Sequence, residues 1–163
     1  MRGRMMQTPL LISSLIEHAG RVYGTQEIVS RTVEGPIHRY TWLDARNRSI
    51  QLAQALGAHG ITAGDRIGTL GWNTYRHLEL YYGISGMGAV CHTLNPRLHP
   101  TELVYIVNHA EDRILFVDLT FVPLAEAVAD KLPGVERYVV LTDSENMPET
   151  ALSNAIAYED FIA

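Results

Sequence analysis

Arg66-Ile67-Gly68-Thr69-Leu70-Gly71-Trp72-Asn73 is the stretch that decides the fold. Arg66 to Trp72 reads as a short strand, and Asn73 to Met87 as a helix. Ala89 to Leu94 returns to strand character, and Pro100 to Ala110 to helix, opened by His99-Pro100, with Leu103, Ile106 and Val107 facing inward. Ile114-Leu115-Phe116-Val117 marks a buried strand within Arg113 to Asp118. Phe121 to Leu132 reads as a helix closed by Pro133-Gly134, and Arg137 to Leu141 as a last strand. From Asp65 the order is therefore β-α-β-α-β-α-β, which implies right-handed crossovers and a mostly parallel sheet. Thr142 to Ala155 is polar and loop-like, and Tyr158 to Ile162 reads as one helical turn.

Before Asp65 the pattern differs. Thr8-Pro9 has the form of a helix start, with Leu11, Leu15, Ala19 and Val22 on one stripe and Gly24 placed to end it. Glu27 to Val33 and Ile37 to Tyr40 are short β-like runs joined by the turn Glu34-Gly35-Pro36. Thr41 to Asp44 carries a Ser/Thr-x-x-acid helix start, and the helix runs to about Gly60. The expected fold is α/β: a mostly parallel sheet with flanking helices built from β-α-β units, preceded by an N-terminal helix and a short β-hairpin. Residues 1–163 are expected to form a single unit, with 1–60 as lead-in and 61–141 as the β/α layer. A parallel sheet needs cover on both faces. The short helices are expected to leave apolar area in water, which favours self-association.

Composition narrows the function. Of 163 residues 47% are hydrophobic and 19% charged, the mix of a globular chain rather than a disordered one. The formal charge of −5 argues against nucleic acid as a partner. The single Cys91 has no partner for an internal disulfide, so a reducing, cytoplasmic setting is expected. No run approaches the roughly twenty apolar residues of a membrane span, which leaves peripheral contact open. Arg2 and Arg4 precede an apolar-looking run, but polar residues interrupt it and no small-residue cleavage site follows, so no leader peptide is expected.

Several constellations invite chemical readings. Gly83, Gly86 and Gly88 suggest a nucleotide loop, yet they end a helix instead of opening one, and Cys91 stands where the last glycine belongs. Helix termination and close packing explain them better. Gly68 and Gly71 sit between strand and helix but lack the full spacing. Cys91 and His92 are strand neighbours and point to opposite faces, so they do not share a proton. No His-Glu-x-x-His pattern or cysteine pair suggests zinc. His77, His92, His99 and His109 read as surface or capping residues, and Glu111-Asp112 as solvated loop charge. Tyr75, Tyr81 and Tyr82 read as packing aromatics. Trp72-Asn73 and Asn95-Pro96-Arg97 follow the first two parallel strands, where α/β folds place ligands. Trp72, Asn73, Asn95 and Arg97 are thus the candidate cleft-bordering residues. Their plain alternatives are a helix cap at Asn73 and a turn at Pro96.

Taken in order, the motifs resemble adenylate-forming, AMP-binding enzymes. Tyr40-Thr41-Trp42-Leu43-Asp44 is similar to the first core motif of that superfamily. Gly64-Asp65-Arg66-Ile67, Trp72-Asn73, Gly88-Ala89-Val90, Leu94-Asn95-Pro96-Arg97-Leu98, Glu102-Leu103, Tyr105-Ile106 and Asp118 follow in family order. Tyr158-Glu159-Asp160-Phe161 resembles a stretch just upstream of the family's phosphate loop. His92 to Leu98 looks like the medium- and long-chain fatty acyl-CoA ligase branch. The resemblance implies the N-terminal part of an enzyme that uses ATP and Mg²⁺ to form an acyl-adenylate and then transfers the acyl group to coenzyme A. Charge neutralisation at phosphate and positioning of two substrates would do that work. The family's phosphate loop, acidic metal ligand, ribose-binding aspartate and mobile-domain lysine have no counterpart here. No catalytic, cofactor-binding or metal residue carries over, and this stretch is expected to bind no cofactor and to be inactive alone. Its expected partners are the remainder of the synthetase chain and a second copy of itself. A stand-alone binding or oligomerisation module without catalysis is the alternative.

Overall fold

The computed structural model describes residue 3 and residues 6–163. Arg2 and Arg4, the basic start of the leader-like stretch, lie outside the described residues. Helix α1 (Ser13–Val22) leads into the antiparallel hairpin β1 (Glu27–Arg31) and β2 (Ile37–Thr41), and then into α2 (Trp42–Ala58). The layer that follows is β3 (Arg66–Leu70), α3 (Tyr75–Gly86), β4 (Val90–Thr93), α4 (Pro100–Ala110), β5 (Asp112–Val117), α5 (Val122–Glu126), β6 (Arg137–Val140), β7 (Ala155–Ala157) and α6 (Tyr158–Phe161). Its five strands pair only in parallel, in the order β4-β3-β5-β6-β7. The α/β architecture read from the sequence is the one observed.

Each sheet face has its own core, because side chains alternate along a strand. Ile67, Ile114, Phe116, Val139 and Leu141 meet α2 and α3 through Leu52, Leu56, Leu80 and Ile84, with Tyr158 and Phe161 closing that layer. Leu70, Leu115, Val117, Tyr138 and Val140 meet α4 and α5 through Leu103, Val107, Val122 and Ala125. Both faces are therefore covered, contrary to the expectation that the helices are too short. Exposed apolar side chains remain, among them Leu10, Leu11, Leu15 and Val22 on and before α1.

Several boundaries differ from the sequence reading, each for a physical reason. Helix α1 starts at Ser13 rather than Pro9, with Ile12 at its cap and no side-chain cap bond. Leu10 is 95% exposed, so the preceding turn has no packing to repay nucleation. The helix expected over Phe121 to Leu132 is broken into a 3₁₀ turn (Leu119–Phe121), α5 and a second 3₁₀ turn (Ala129–Lys131). Val122, Ala125, Val128 and Leu132 stay buried throughout, so the apolar stripe survives while the backbone tightens. Strand β3 stops at Leu70, and β7 appears where a loop was expected, paired with Tyr138 to Val140.

Helix α2 begins as its sequence dictates. The Asp44 N–H donates to Thr41 Oγ1 at 3.2 Å, and the Thr41 N–H donates to Asp44 Oδ2 at 2.9 Å, a reciprocal capping box. Thr41→Ala is expected to cost about 1 kcal/mol and Thr41→Ser almost nothing. Equal urea midpoints for the two variants and the parent would contradict the cap.

Candidate functional site at the carboxyl edge of the sheet

The carboxyl ends of β3, β4, β5 and β6 share one edge because the strands are parallel. Trp72 and Asn73 follow β3. The Trp72 N–H donates to Asp118 Oδ2 at 3.3 Å, its indole Nε1–H donates to Thr120 Oγ1 at 3.3 Å, and its ring lies 5.1 Å from that of Phe121. Trp72 is thereby tied to the end of β5. Asn73 is exposed and does not cap α3; that position belongs to Thr74, and the Tyr75 N–H is taken by Ser30 Oγ at 3.1 Å. Asn95 turns its side chain onto its own loop, with Oδ1 accepting from the Arg97 N–H at 3.0 Å. Arg97 is exposed and, among the described residues, forms no salt bridge. The four candidates thus line one edge as two pairs, Trp72 with Asn73 and Asn95 with Arg97. Among the described residues no hydrogen bond joins the pairs.

Asp118 is the further residue of this edge. Its side chain is buried, Oδ1 has no partner, and burial raises its carboxyl above the usual range. The sequence signal for it was the polar residue ending the apolar run Ile114 to Val117. Cys91 points into the first core and burial pushes its thiol up to about 11, which makes it a poor nucleophile at neutral pH. His92 points to the opposite face, as expected from a strand, but it is not a lone surface residue. Its Nδ1 lies 2.8 Å from Asp112 Oδ2, across β3 at Gly68. A methyl group at Gly68 would come within 2.5 Å of Leu115 Cδ1 and 3.1 Å of that carboxylate, so the glycine leaves room for both. Asp112, expected in solvent, is 1% exposed. His99 caps α4 and His109 stacks on Tyr105, but His77 is buried in α3 rather than at the surface.

The most charged interior region lies where the hairpin tip, α2, α3 and α6 meet. Arg48 Nε donates to Glu79 Oε1 at 2.8 Å and its Nη2 to Glu159 Oε2 at 2.9 Å. Arg76 donates to Glu159 Oε1 at 2.9 Å and to Glu34 Oε1 at 2.7 Å. The Tyr158 hydroxyl donates to Glu79 Oε2 at 2.8 Å. Buried, shifted groups often mark reaction centres. Here each guanidinium faces carboxylates of the same cluster, so the arrangement ties elements together, although Glu34 Oε2 and the neighbouring His38 Nε2 are buried without a hydrogen-bond partner. Among the described residues no three His, Cys, Asp or Glu side chains converge as metal ligands. Among the described residues no helix is long and apolar enough to cross a membrane.

Comparison with known proteins agrees with this geometry. The chain is 43% identical over 162 residues to the medium-chain-fatty-acid–CoA ligase of Ectopseudomonas oleovorans, covering 99% of this chain and 30% of that relative. It is 52% identical over 141 residues to the 3-methylmercaptopropionyl-CoA ligase of Ruegeria lacuscaerulensis, covering 86% of this chain and 26% of that relative. The chain thus spans less than a third of the relatives it matches. The crystal structure of the anthranilate CoA ligase AuaEII in complex with anthranoyl-AMP superposes with a TM-score of 0.78 at 24% identity, covering 95% of this chain and 28% of that one, which shows a shared fold. The AMP-binding enzyme family matches residues 16–161, so the chain belongs to that family.

Proposed function

We propose that these 163 residues are the N-terminal portion of the large domain of an ATP-dependent acyl-CoA ligase acting on medium- or long-chain fatty acids. The observation that carries the reading is 43% identity to such a ligase along 99% of the chain but 30% of the relative's length. The whole enzyme would take a carboxylate, ATP with Mg²⁺, and coenzyme A to acyl-CoA, AMP and pyrophosphate, in the cytoplasm with at most peripheral membrane contact. The chain would act within it as one unit, residues 1–60 as lead-in and 61–141 as the parallel layer. Trp72, Asn73, Asn95 and Arg97 would border the ligand cleft, and the phosphate- and metal-binding residues would come from the remainder of the enzyme. The charge cluster supports a scaffolding role, because each of its guanidinium groups is taken by carboxylates from other elements. The purified chain is expected to give no carboxylate-dependent ATP–pyrophosphate exchange above a no-protein control. Exchange well above that control would overturn the placement of the chemistry outside these residues.

A second copy is the other proposed partner, with the contact moved from the sheet to α1. Leu15 and Val22 stand seven residues apart on the exposed side of that helix, and Leu11, exposed as well, lies in the segment just before it. Sedimentation equilibrium is expected to show a dimer that Leu11→Ser with Leu15→Ser returns to monomer. A monomer mass persisting for the parent chain at high micromolar concentration would remove this partner.

A further inference from the structure

The β1–β2 hairpin is held on the first turn of α3 at three points. The Tyr75 N–H donates to Ser30 Oγ at 3.1 Å, and Arg76 Nη1 donates to Glu34 Oε1 at 2.7 Å. The His38 ring stacks on Tyr75, with centroids 3.7 Å apart and planes 13° from parallel. His38 Nε2 is buried there with no hydrogen-bond partner. A neutral imidazole can leave that nitrogen bare, whereas an imidazolium carries N–H on both nitrogens and must bury one donor unpaired. The groups around the ring are Arg76 and Tyr75 from α3, Arg48 and Asp44 from α2, Glu159 from α6 and Tyr40 from its own strand, with neutral Ser30 opposite on β1. Glu34, at the hairpin tip, is already bonded to Arg76 and Thr142. Burial, then Arg48 and Arg76, hold the imidazole below its usual pKa against the opposite pull of Glu159 and Asp44. The stack alone would favour a cation, but Arg76 and Arg48 already lie over the Tyr75 ring, 4.8 and 5.7 Å from its centroid.

We propose that His38 is a proton-operated latch: neutral, it holds the hairpin on α3, and protonated, it releases the hairpin while the five-stranded sheet stays folded. The hairpin can open by itself because Tyr40 and Tyr75 pack in a small cluster with Ile16 and Ala45, apart from the two cores of the sheet. A released His38 takes its proton near pH 6.5, the docked one only at lower pH. The open form therefore binds more protons in that window, so docking is at full strength above about pH 6.5 and weakens as pH falls toward the docked value. Glu34 does not set the window. Burial pushes its carboxyl up, but backbone hydrogen bonding and Arg76 hold it below the ordinary range, so it stays charged throughout. The latch is independent of acyl transfer and stands on residues of this chain alone.

Hydrogen exchange at the Tyr75 amide reads the latch directly, because a first-turn N–H has no partner within its helix and this one is bonded to Ser30 of the hairpin. Its opening constant, corrected for the intrinsic exchange rate, is expected to rise by up to about tenfold from pH 7.5 to 5.5, the effect of one proton taken up near pH 6.5. The amides of Leu115 and Phe116 in β5 are expected not to follow it. The imidazole resonances of His38 are expected to titrate with a midpoint below 6.5. His38→Phe keeps a ring on Tyr75 and takes no proton, so its Tyr75 opening constant is expected to stay flat over the same range. An opening constant in the parent that does not change with pH, or a His38 midpoint at or above 6.5, would overturn the latch. An equal rise in His38→Phe would also overturn it, by placing the proton on another group such as the buried His77. Should His38→Phe fail to fold, the His38 midpoint and the Tyr75 amide of the parent chain decide.

Discussion

Replacing Arg48 by methionine is expected to destabilise the chain by about 3–5 kcal/mol, the cost of removing one partner from a buried ion pair. Arg48 is the only cation bonded to Glu79 among the described residues, and it also holds Glu159 of α6. Glu79 is fully buried, and burial pushes its carboxyl up by more than Arg48 and Tyr158 pull it down. Without Arg48, Glu79 keeps only the Tyr158 hydroxyl, so it must fold as the neutral acid or remain an uncompensated charge. The double variant Arg48→Met with Glu79→Leu removes both charges and is expected to recover most of the loss. Urea unfolding of the four proteins in a double-mutant cycle measures the coupling directly. A single variant within about 1 kcal/mol of the parent would show that water reaches Glu79. The consequence for the fold is long-range, because the cluster joins residues 34, 48, 76 and 79 to 158 and 159. Loss of Arg48 should therefore loosen α6 and β7 before the rest of the sheet.

Local signals were legible in the sequence where they were strong and self-contained. Helix α4 runs from Pro100 to Ala110 as read, because its start is written locally: Pro100 at the first position and a capping box between His99 and Glu102. The strand–helix alternation after Asp65 was most readable at β5 and β6, apolar runs buried on both faces. Strand β7 was not, since Ala155-Ile156-Ala157 is three residues long and owes its extended form to pairing with β6. The candidate edge was legible by topology alone: Trp72 and Asn95 each follow a parallel strand. Which atoms they bond was not, because Asp118 and Thr120 reach Trp72 from 46 and 48 residues away. The charge cluster was hidden for the same reason. Arg76 and Glu79 are charges on one helix, and only the fold brings Glu34 and Glu159 to Arg76, and Arg48 to Glu79. The His92–Asp112 pair needed a register, since it forms across a strand that belongs to neither residue.

Gly83→Val is expected to cost about 3 kcal/mol, while Gly86→Ala three positions later is expected to be neutral or to gain up to about 1 kcal/mol. Both glycines belong to the cluster that invites a nucleotide-loop reading, and the two substitutions separate that reading from packing. Gly83 is buried where α3 crosses α2, and a Cβ there would lie 2.7 Å from Leu52 Cδ2 and 2.9 Å from the Ser49 carbonyl oxygen. Leu52 is itself fully buried, and the Ser49 oxygen is backbone, so neither retreats without moving a helix. Separating α2 from α3 would open the layer that holds Leu80, Ile84 and Ile67. Valine adds a β-branch to that clash and restricts its own rotamers in the helix. Gly86 meets only Ser13 Cβ at 3.9 Å, ordinary contact distance, and its backbone lies outside the left-handed region. Alanine fits there and narrows the unfolded ensemble. Thermal and urea midpoints of the two variants give the comparison. Equal losses at both positions would mean that the glycines are needed for backbone freedom rather than for the approach of α2. An unaltered midpoint for Gly83→Val would mean that α2 and α3 are not in contact at this point.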